Sequence, residues 1–502
     1  MDAMTFVLFG ATGDLAKRKI IPALYSLYVD QKLPPSFSFI GVSITELSDE
    51  EFHEHIEQSV HTFSEGGSND FSKVKEFLPS IRYCKLDVTN EGEYKKLLKL
   101  IQLREEELNI PENRMFYMSV APTFFDVIAL NIKKSGLGST KGWKRLIIEK
   151  PFGHDLKSAQ ELNEKLSTTF QEEEIYRIDH YLGKPMVQNL EALEFANPIF
   201  QTLWNNQHIA NIQITASETV GVEKRASYYD KAGAIRDMFQ NHMMQLLMMS
   251  SMHLPKRITA ADIRNEKKKI IESVRPLKKE DVHSDVIRGQ YGPGEIDGKS
   301  VIGYIEEPGI APSSKNDTFV AVRLWIDDPF WKGVPFYIRT GKRMKNKSTR
   351  IVIEFKNHLK ELYVNQNEEP TPNLLIIGIN PNEGVSLQLN SKNPLKDGKI
   401  EPINIEFSAD QDDVPKAYEL LLIDAFEGDA TFFAHWTEVE LSWKWVQPIL
   451  EAFDENLVPL HIYPTGSYGP DASHRLLEED GFGWWLDKRS HELSNIASTE
   501  ET

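Results

Sequence analysis

The sequence predicts an α/β domain on a doubly wound parallel sheet, followed by an α+β domain with a large, mostly antiparallel sheet. Three observations predict this. Short apolar runs alternate with helical patterns through the first third of the chain, the pattern that parallel sheets require. A glycine run, Gly10-Ala-Thr-Gly13-Asp-Leu-Ala16, closes the first of those runs. Farther along, strands follow one another with period two, as where Val385, Leu387 and Leu389 alternate with Ser386 and Gln388. The 502 residues give room for both domains.

Thr5–Phe9 reads as a buried strand, and a helical stretch runs from Asp14 to about Gln31. Ser38–Val42 is the second strand. Ser48 and Glu51 then form a capping box, in which the Glu side chain reaches back to the Ser backbone. Ile81–Val88, Arg114–Val120 and Arg145–Glu149 continue as strands with helices between them. After about residue 180 helical blocks cover roughly 181–205 and 231–252. Strands then follow at Thr318–Ile326, Val334–Arg339, Arg350–Phe355, Leu374–Ile379, Val385–Leu389 and Ile403–Phe407. The expected division is 1–179, 180–488 and a polar tail at 489–502. A sheet covered by helices on one face leaves the other to be buried, so a homodimer is expected.

Composition excludes several classes. Forty per cent of residues are hydrophobic and 26% charged, so wholesale disorder is not expected. A formal net charge of −18 argues against a general nucleic-acid or membrane-surface binder. Any anionic ligand must be drawn by local cations, which screening over roughly 8 Å at physiological salt permits. The single cysteine, Cys84, excludes an internal disulfide and a cysteine metal cluster, and its apolar setting marks a buried thiol. No run approaches the ~18 apolar residues of a membrane span. The first residues lack a basic segment followed by a long apolar one, so a cytoplasmic location is expected. His53 and His55 stand two apart on a helix and point apart, and no HExxH spacing occurs, so no metal is expected.

Gly10, Gly13 and Ala16 form a GxxGxxA variant of the dinucleotide fingerprint, placed after a strand and opening a helix. Gly10 permits the turn, Gly13 lets backbone approach a pyrophosphate, and the helix start offers N–H groups to it. The first domain is therefore expected to be Rossmann-like. Lys17, Arg18 and Lys19 add positive charge in the first helical turns, where a nearby anion would relieve them. The end of the second strand normally meets the adenosine ribose. Here it reads Gly41-Val-Ser-Ile44-Thr45-Glu46, without Arg or Lys. Glu46 either faces a 2′-hydroxyl, repelling a 2′-phosphate, or is an exposed loop carboxylate.

Residues 177–184 read Arg-Ile-Asp-His-Tyr-Leu-Gly-Lys and residues 149–153 read Glu-Lys-Pro-Phe-Gly. With GATGDLAKRK at the start, ITASE at 214–218, YYDKAGAIRDMFQNH at 228–242, GVPFYIRTGKRM at 333–344 and YPTGSYGP at 463–470, the chain resembles the glucose-6-phosphate dehydrogenase family, of bacterial type. The likeness runs over nearly the whole chain in the expected order. It implies oxidation of D-glucose 6-phosphate at C1 to the 6-phospho-lactone, the first step of the oxidative pentose phosphate pathway. It also implies the roles. His242 would be the general base and Asp179 its carboxylate partner. His180, Tyr181 and Lys184 would grip the phosphate, and Glu218, Asp237 and Lys342 the sugar hydroxyls, with Lys347 close by. Gly10, Thr12, Gly13, Asp14, Leu15, Lys19, Thr45, Glu46 and Asp87 would meet the coenzyme, and Lys150 both ligands.

The residues agree with that chemistry. Loss of a hydride from C1 requires the hydroxyl proton to depart nearly in step, and a base of near-neutral pKa suits this. His242 stands at helical spacing with Ile235, Met238, Phe239 and Leu246, an apolar face that disfavours the imidazolium. The methionines of 238–252 read as core filling. Ile44 stands where family members that use NADP carry an Arg. The coenzyme is therefore expected to be NADP or NAD, with dual specificity or a preference for NAD. Two other readings stay open: a dehydrogenase of the same fold for a related phosphorylated sugar, and a catalytically dead dinucleotide sensor.

Overall fold

The computed structural model describes residues 1–64, 71–296, 298–357, 371–396, 398–407, 415–485 and 487; the expected tail at 489–502 lies outside them. Backbone contacts divide the chain into two compact units. One comprises Met1–Gln188, Pro255–Asn265 and Asp410–Glu440, the other Asn189–Leu254, Glu266–Ala409 and Leu441–Thr502. The first crossing falls near the boundary expected at 179/180. The two later returns to the first unit leave no mark in composition.

The first unit carries β1 (Met4–Phe9), β2 (Phe37–Ser43), β3 (Ile81–Lys85), β4 (Arg114–Met118), β5 (Lys144–Glu149) and β6 (Ile175–Ile178). They form one sheet in the order β3-β2-β1-β4-β5-β6, parallel throughout. The order turns back at β1, the switch point where such sheets bind ligands beyond the carboxyl ends of their strands. β1 is buried along its length, as a central strand covered on both faces must be.

β6 is beyond the five strands expected, because Arg177 breaks its apolar run. The guanidinium is nevertheless buried, held by Glu172 at 2.6 and 2.9 Å and by Asn163 at 2.7 Å. A second buried arginine, Arg114 of β4, makes two 2.8 Å bonds to Glu105. The returning helix Ala417–Glu427 covers part of the sheet. Its Phe426 ring stands edge-on to Phe6 at 6.0 Å, and its last carbonyls, Ala425 and Phe426, accept from Arg145.

The helix after β1 begins at Asp14 but is π-helical over Ala16–Ile20 before Ile21–Val29 turns α. The Ser48–Glu51 capping box is present, with bonds of 2.7 and 3.2 Å.

The second unit holds β7 (Ile209–Ser217), β8 (Val286–Gly292), β9 (Gly294–Ile296), β10 (Lys299–Val301), β11 (Phe319–Trp325), β12 (Pro335–Gly341), β13 (Ser348–Phe355), β14 (Leu374–Asn380), β15 (Gly384–Asn393), β16 (Lys399–Phe407) and β17 (Leu460–Pro464). β9 and β10 are a separate hairpin. The other nine form one sheet, β16-β15-β14-β13-β7-β12-β11-β8-β17. It is mixed, with antiparallel neighbours except at β7–β12 and β8–β17. The six strands expected in this region are present. β7, β8 and β17 were not expected. β7 sits at the sheet's centre although Asn211, Gln213 and Thr215 alternate along it. These are buried because they are bonded: Asn211 donates to Glu354 at 2.9 Å and Gln213 to Asn211 at 3.1 Å. Among the described residues no helix is long and apolar enough to cross a membrane.

Candidate active site

The residues singled out in the sequence fall in both units. In the first, Gly10 turns the chain at φ 81°, and a Cβ there would stand 2.1 Å from the Ser119 carbonyl oxygen. Only glycine fits this turn against β4. The amides of Gly10 and Ala11 donate to Val42 O, and that of Gly13 to Gly10 O. Those of Thr12, Asp14 and Leu15 have no backbone acceptor among the described residues. Three amides at a helix start suit a pyrophosphate, so the turn fits a dinucleotide. Asp14 is paired with Arg18 at 2.7 Å, and Arg18 also lies over the Phe63 ring. Lys19 is exposed.

The Thr12 and Ser43 hydroxyls are 2.8 Å apart, which ties the turn to the end of β2. Ile44, Thr45 and Glu46 are exposed there. The Glu46 carboxylate is exposed and is paired with Lys85 at 2.7 Å. Lys85 was not foreseen. Asp87 turns its carboxylate to Thr89, accepting from its amide at 2.9 Å and its hydroxyl at 2.7 Å.

β5 ends at Glu149, followed by Lys150, whose peptide bond to Pro151 is cis. Glu149 accepts a 2.6 Å bond from Tyr117 and another from Tyr418. Burial pushes its carboxyl up to about 7, against the pull of those hydroxyls and of Lys150. Nothing in the sequence signals this, since Tyr117 and Tyr418 lie far apart along the chain. β6 delivers Asp179, which is 2% exposed and accepts from the Tyr181 amide at 2.9 Å. His180 stands edge-on to the Tyr181 ring at 5.0 Å, and the Lys184 ammonium lies over that ring at 5.2 Å. The three predicted phosphate-binding residues thus lie together at one turn.

In the second unit, Glu218 follows β7 and Lys342 follows β12, parallel neighbours in the sheet. Register brings them into a 2.5 Å ion pair, with the Lys342 ammonium over the Tyr229 ring at 5.0 Å. Asp237 is buried near Tyr228 (3.4 Å) and Arg225 (3.7 Å). Lys347 is exposed on the loop before β13.

His242 is wholly buried on a π-helical segment, Ile235–Met243. The burial inferred from 3.6-residue spacing is present, but the helix differs. With i→i+5 bonding, Asp237 and His242 stand about one turn apart, an arrangement common at functional positions. The segment's start is fixed by Asp317, which accepts from the Ile235 amide at 2.9 Å, after a break at Gly233 with φ 67°. A Cβ on Gly233 would approach Asp317 Oδ1 to 2.5 Å. Asp317, outside every motif read in the sequence, therefore positions the residues on this segment.

A parallel sheet whose first strand ends in a glycine turn and an anion-receptive helix start defines a dinucleotide-binding fold of the dehydrogenase class. The N-terminal model of glucose-6-phosphate dehydrogenase, its NAD binding domain, matches residues 7–189, and the C-terminal domain model matches 191–485. The chain is 47% identical to glucose-6-phosphate 1-dehydrogenase of Bacillus subtilis over 482 residues, 95% of this chain and 97% of that one. It is 39% identical to the Leuconostoc mesenteroides enzyme, over 95% and 97%. Among solved structures, a glucose-6-phosphate dehydrogenase in complex with its substrate superposes with a TM-score of 0.88 at 34% identity, covering 96% of this chain and 98% of that one. The Mycobacterium avium glucose-6-phosphate 1-dehydrogenase gives 0.80 at 31%, with the same coverage. The chain belongs to the glucose-6-phosphate dehydrogenase family. Its first domain is a nicotinamide-dinucleotide-binding one.

Proposed function

We propose that this protein oxidises D-glucose 6-phosphate at C1 to 6-phospho-D-glucono-1,5-lactone. The observation that carries this reading is His242, a buried imidazole on a π-helical segment whose start Asp317 fixes, within a chain that the two family domain models match over residues 7–189 and 191–485. Bound nicotinamide dinucleotide supplies the hydride acceptor. His242 takes the C1 hydroxyl proton while the electrons of the C1–H bond leave as hydride, so that the carbonyl forms without a high-energy cation. Asp179 is the carboxylate assigned to support the protonated imidazole.

Lys184, with His180 and Tyr181, holds the phosphate through charge-assisted bonds about twice as strong as neutral ones. The Lys184 ammonium already lies over the Tyr181 ring, which lowers the cost of ordering it. Glu218 and Asp237 accept from sugar hydroxyls and Lys342 donates. Lys342 and Glu218 hold each other in place before substrate arrives. In this reading Lys347 adds a second cation to the sugar site, and Lys150 is the residue shared by sugar and coenzyme.

Steady-state assays with glucose 6-phosphate, run with NADP and NAD in parallel, test the reading. Saturable reduction of at least one coenzyme is expected; no turnover with either would overturn it.

We also propose that the protein is a homodimer joined through the nine-stranded sheet. Ile403, Ile405 and Phe407 share one face of the edge strand β16 and are 44%, 38% and 58% exposed. Such a patch beside an open sheet edge calls for cover. Light scattering should give about twice the chain mass of 57.5 kDa. A monomer at micromolar concentration would refute it.

A further inference from the structure

The usual adenosine-ribose contact in this fold is a side chain at the end of the second strand, acidic for a 2′-hydroxyl and Arg for a 2′-phosphate. This chain offers Ile44, Thr45 and Glu46 there, and no cation. The cation comes from the neighbouring strand. Ser43, the last residue of β2, is the register partner of Lys85, the last of β3. That pairing puts the Lys85 ammonium 2.7 Å from Glu46 Oε2, at the carboxyl edge of the sheet where the glycine turn also lies.

Two contacts hold the loop in this place. The Tyr83 hydroxyl donates to the Thr45 carbonyl at 2.6 Å, and Ser43 meets Thr12 of the glycine turn at 2.8 Å. The first helix carries cations of its own, Lys17, Arg18 and Lys19. Arg18 is paired with Asp14 and laid on Phe63, and Lys19 lies on the exposed helix surface.

We propose that Lys85 and Glu46 together select the dinucleotide, Lys85 receiving the 2′-phosphate of NADP and Glu46 the ribose 2′-hydroxyl of NAD. This rests on the proposed dinucleotide-dependent activity and names the residues that decide its coenzyme. The ion pair is exposed, 50% at Lys85 and 84% at Glu46, and such pairs contribute little and open readily. A phosphate dianion outcompetes one carboxylate for the ammonium, and Glu46 is free to swing into water. With NAD no anion competes, and Glu46 accepts the hydroxyl. One pair of side chains thereby admits both coenzymes, although neither is the family's Arg.

Binding of 2′,5′-ADP and 5′-AMP to the full chain, measured by calorimetry, isolates the 2′-phosphate and needs neither sugar nor turnover. In Lys85→Met, affinity for 2′,5′-ADP should fall at least tenfold while that for 5′-AMP stays within twofold. Lys85→Arg should restore it. Glu46→Gln should tighten 2′,5′-ADP and lower kcat/KM with NAD severalfold. Equal loss of both ligands in Lys85→Met, or no loss of either, overturns the proposal. If the wild type binds both nucleotides but oxidises no glucose 6-phosphate, the sugar reading fails and the selector stands.

Discussion

Replacing His242 by Asn is expected to lower kcat by about 10²–10⁴-fold, the usual worth of a positioned general base, while KM values stay within a few-fold. Asn keeps a polar side chain of smaller volume in a fully buried position, so binding of substrate and coenzyme should survive. The loss belongs to the proton step alone, because hydride departure without deprotonation leaves positive charge on C1 that nothing else on the segment can remove. Asp237, on the same segment, is assigned to a sugar hydroxyl in this reading and not to the proton at C1. Steady-state kinetics together with coenzyme titration check this. A kcat within threefold of wild type would remove His242 from the base role. If coenzyme binding also collapsed, Asp317→Asn should be compared, since it perturbs the start of the same segment without touching the imidazole.

What could be read in advance divides by the range of the signal. Gly10 and Gly13 were legible because the turn demands them locally, at φ 81° against the Ser119 carbonyl. The Ser48–Glu51 cap was legible for the same reason. β15 and β16 followed from period two because apolar and polar residues alternate along them, as at Val385–Leu389 and Ile403–Phe407. β7 did not, since it is the central strand and its polar residues are buried with partners on β13 and beyond. β6 was hidden by Arg177, whose charge is matched by Glu172 and Asn163. Site residues carried by motifs were named without structure. Those that act through register or long-range contact were not: Lys85 depends on β2–β3 pairing, Asp317 on a bond across 82 positions, and Glu149 on two distant tyrosines. The π-helical form of Ile235–Met243 was likewise invisible, because its apolar residues fit a 3.6-residue period equally well.

Glu149 gives the second large effect, on stability. Burial raises its carboxyl from 4.5 to about 7, the Tyr117 and Tyr418 hydroxyls and Lys150 pull it down, and Asp179 pushes it further up. The folded chain therefore holds a proton here that the unfolded chain releases at lower pH. The sign follows from linkage: the contribution is fully present below pH 4.5 and is lost as pH rises through about 7. A shift of that size corresponds to about 3 kcal/mol between the two ends of the window. Glu149→Gln keeps an acceptor for Tyr117 and cannot ionise, so it lacks the dependence. Urea unfolding of both proteins from pH 5 to pH 8 should show wild type losing roughly 2–3 kcal/mol relative to the variant, most of it below pH 7.5. Ionisable groups elsewhere contribute equally to both and cancel in the difference. A difference that stays constant with pH would mean that Glu149 is solvated and ionised throughout. The tyrosine bonds would then hold a carboxylate at every pH tested, and the strand end that leads into Lys150 would carry a fixed negative charge.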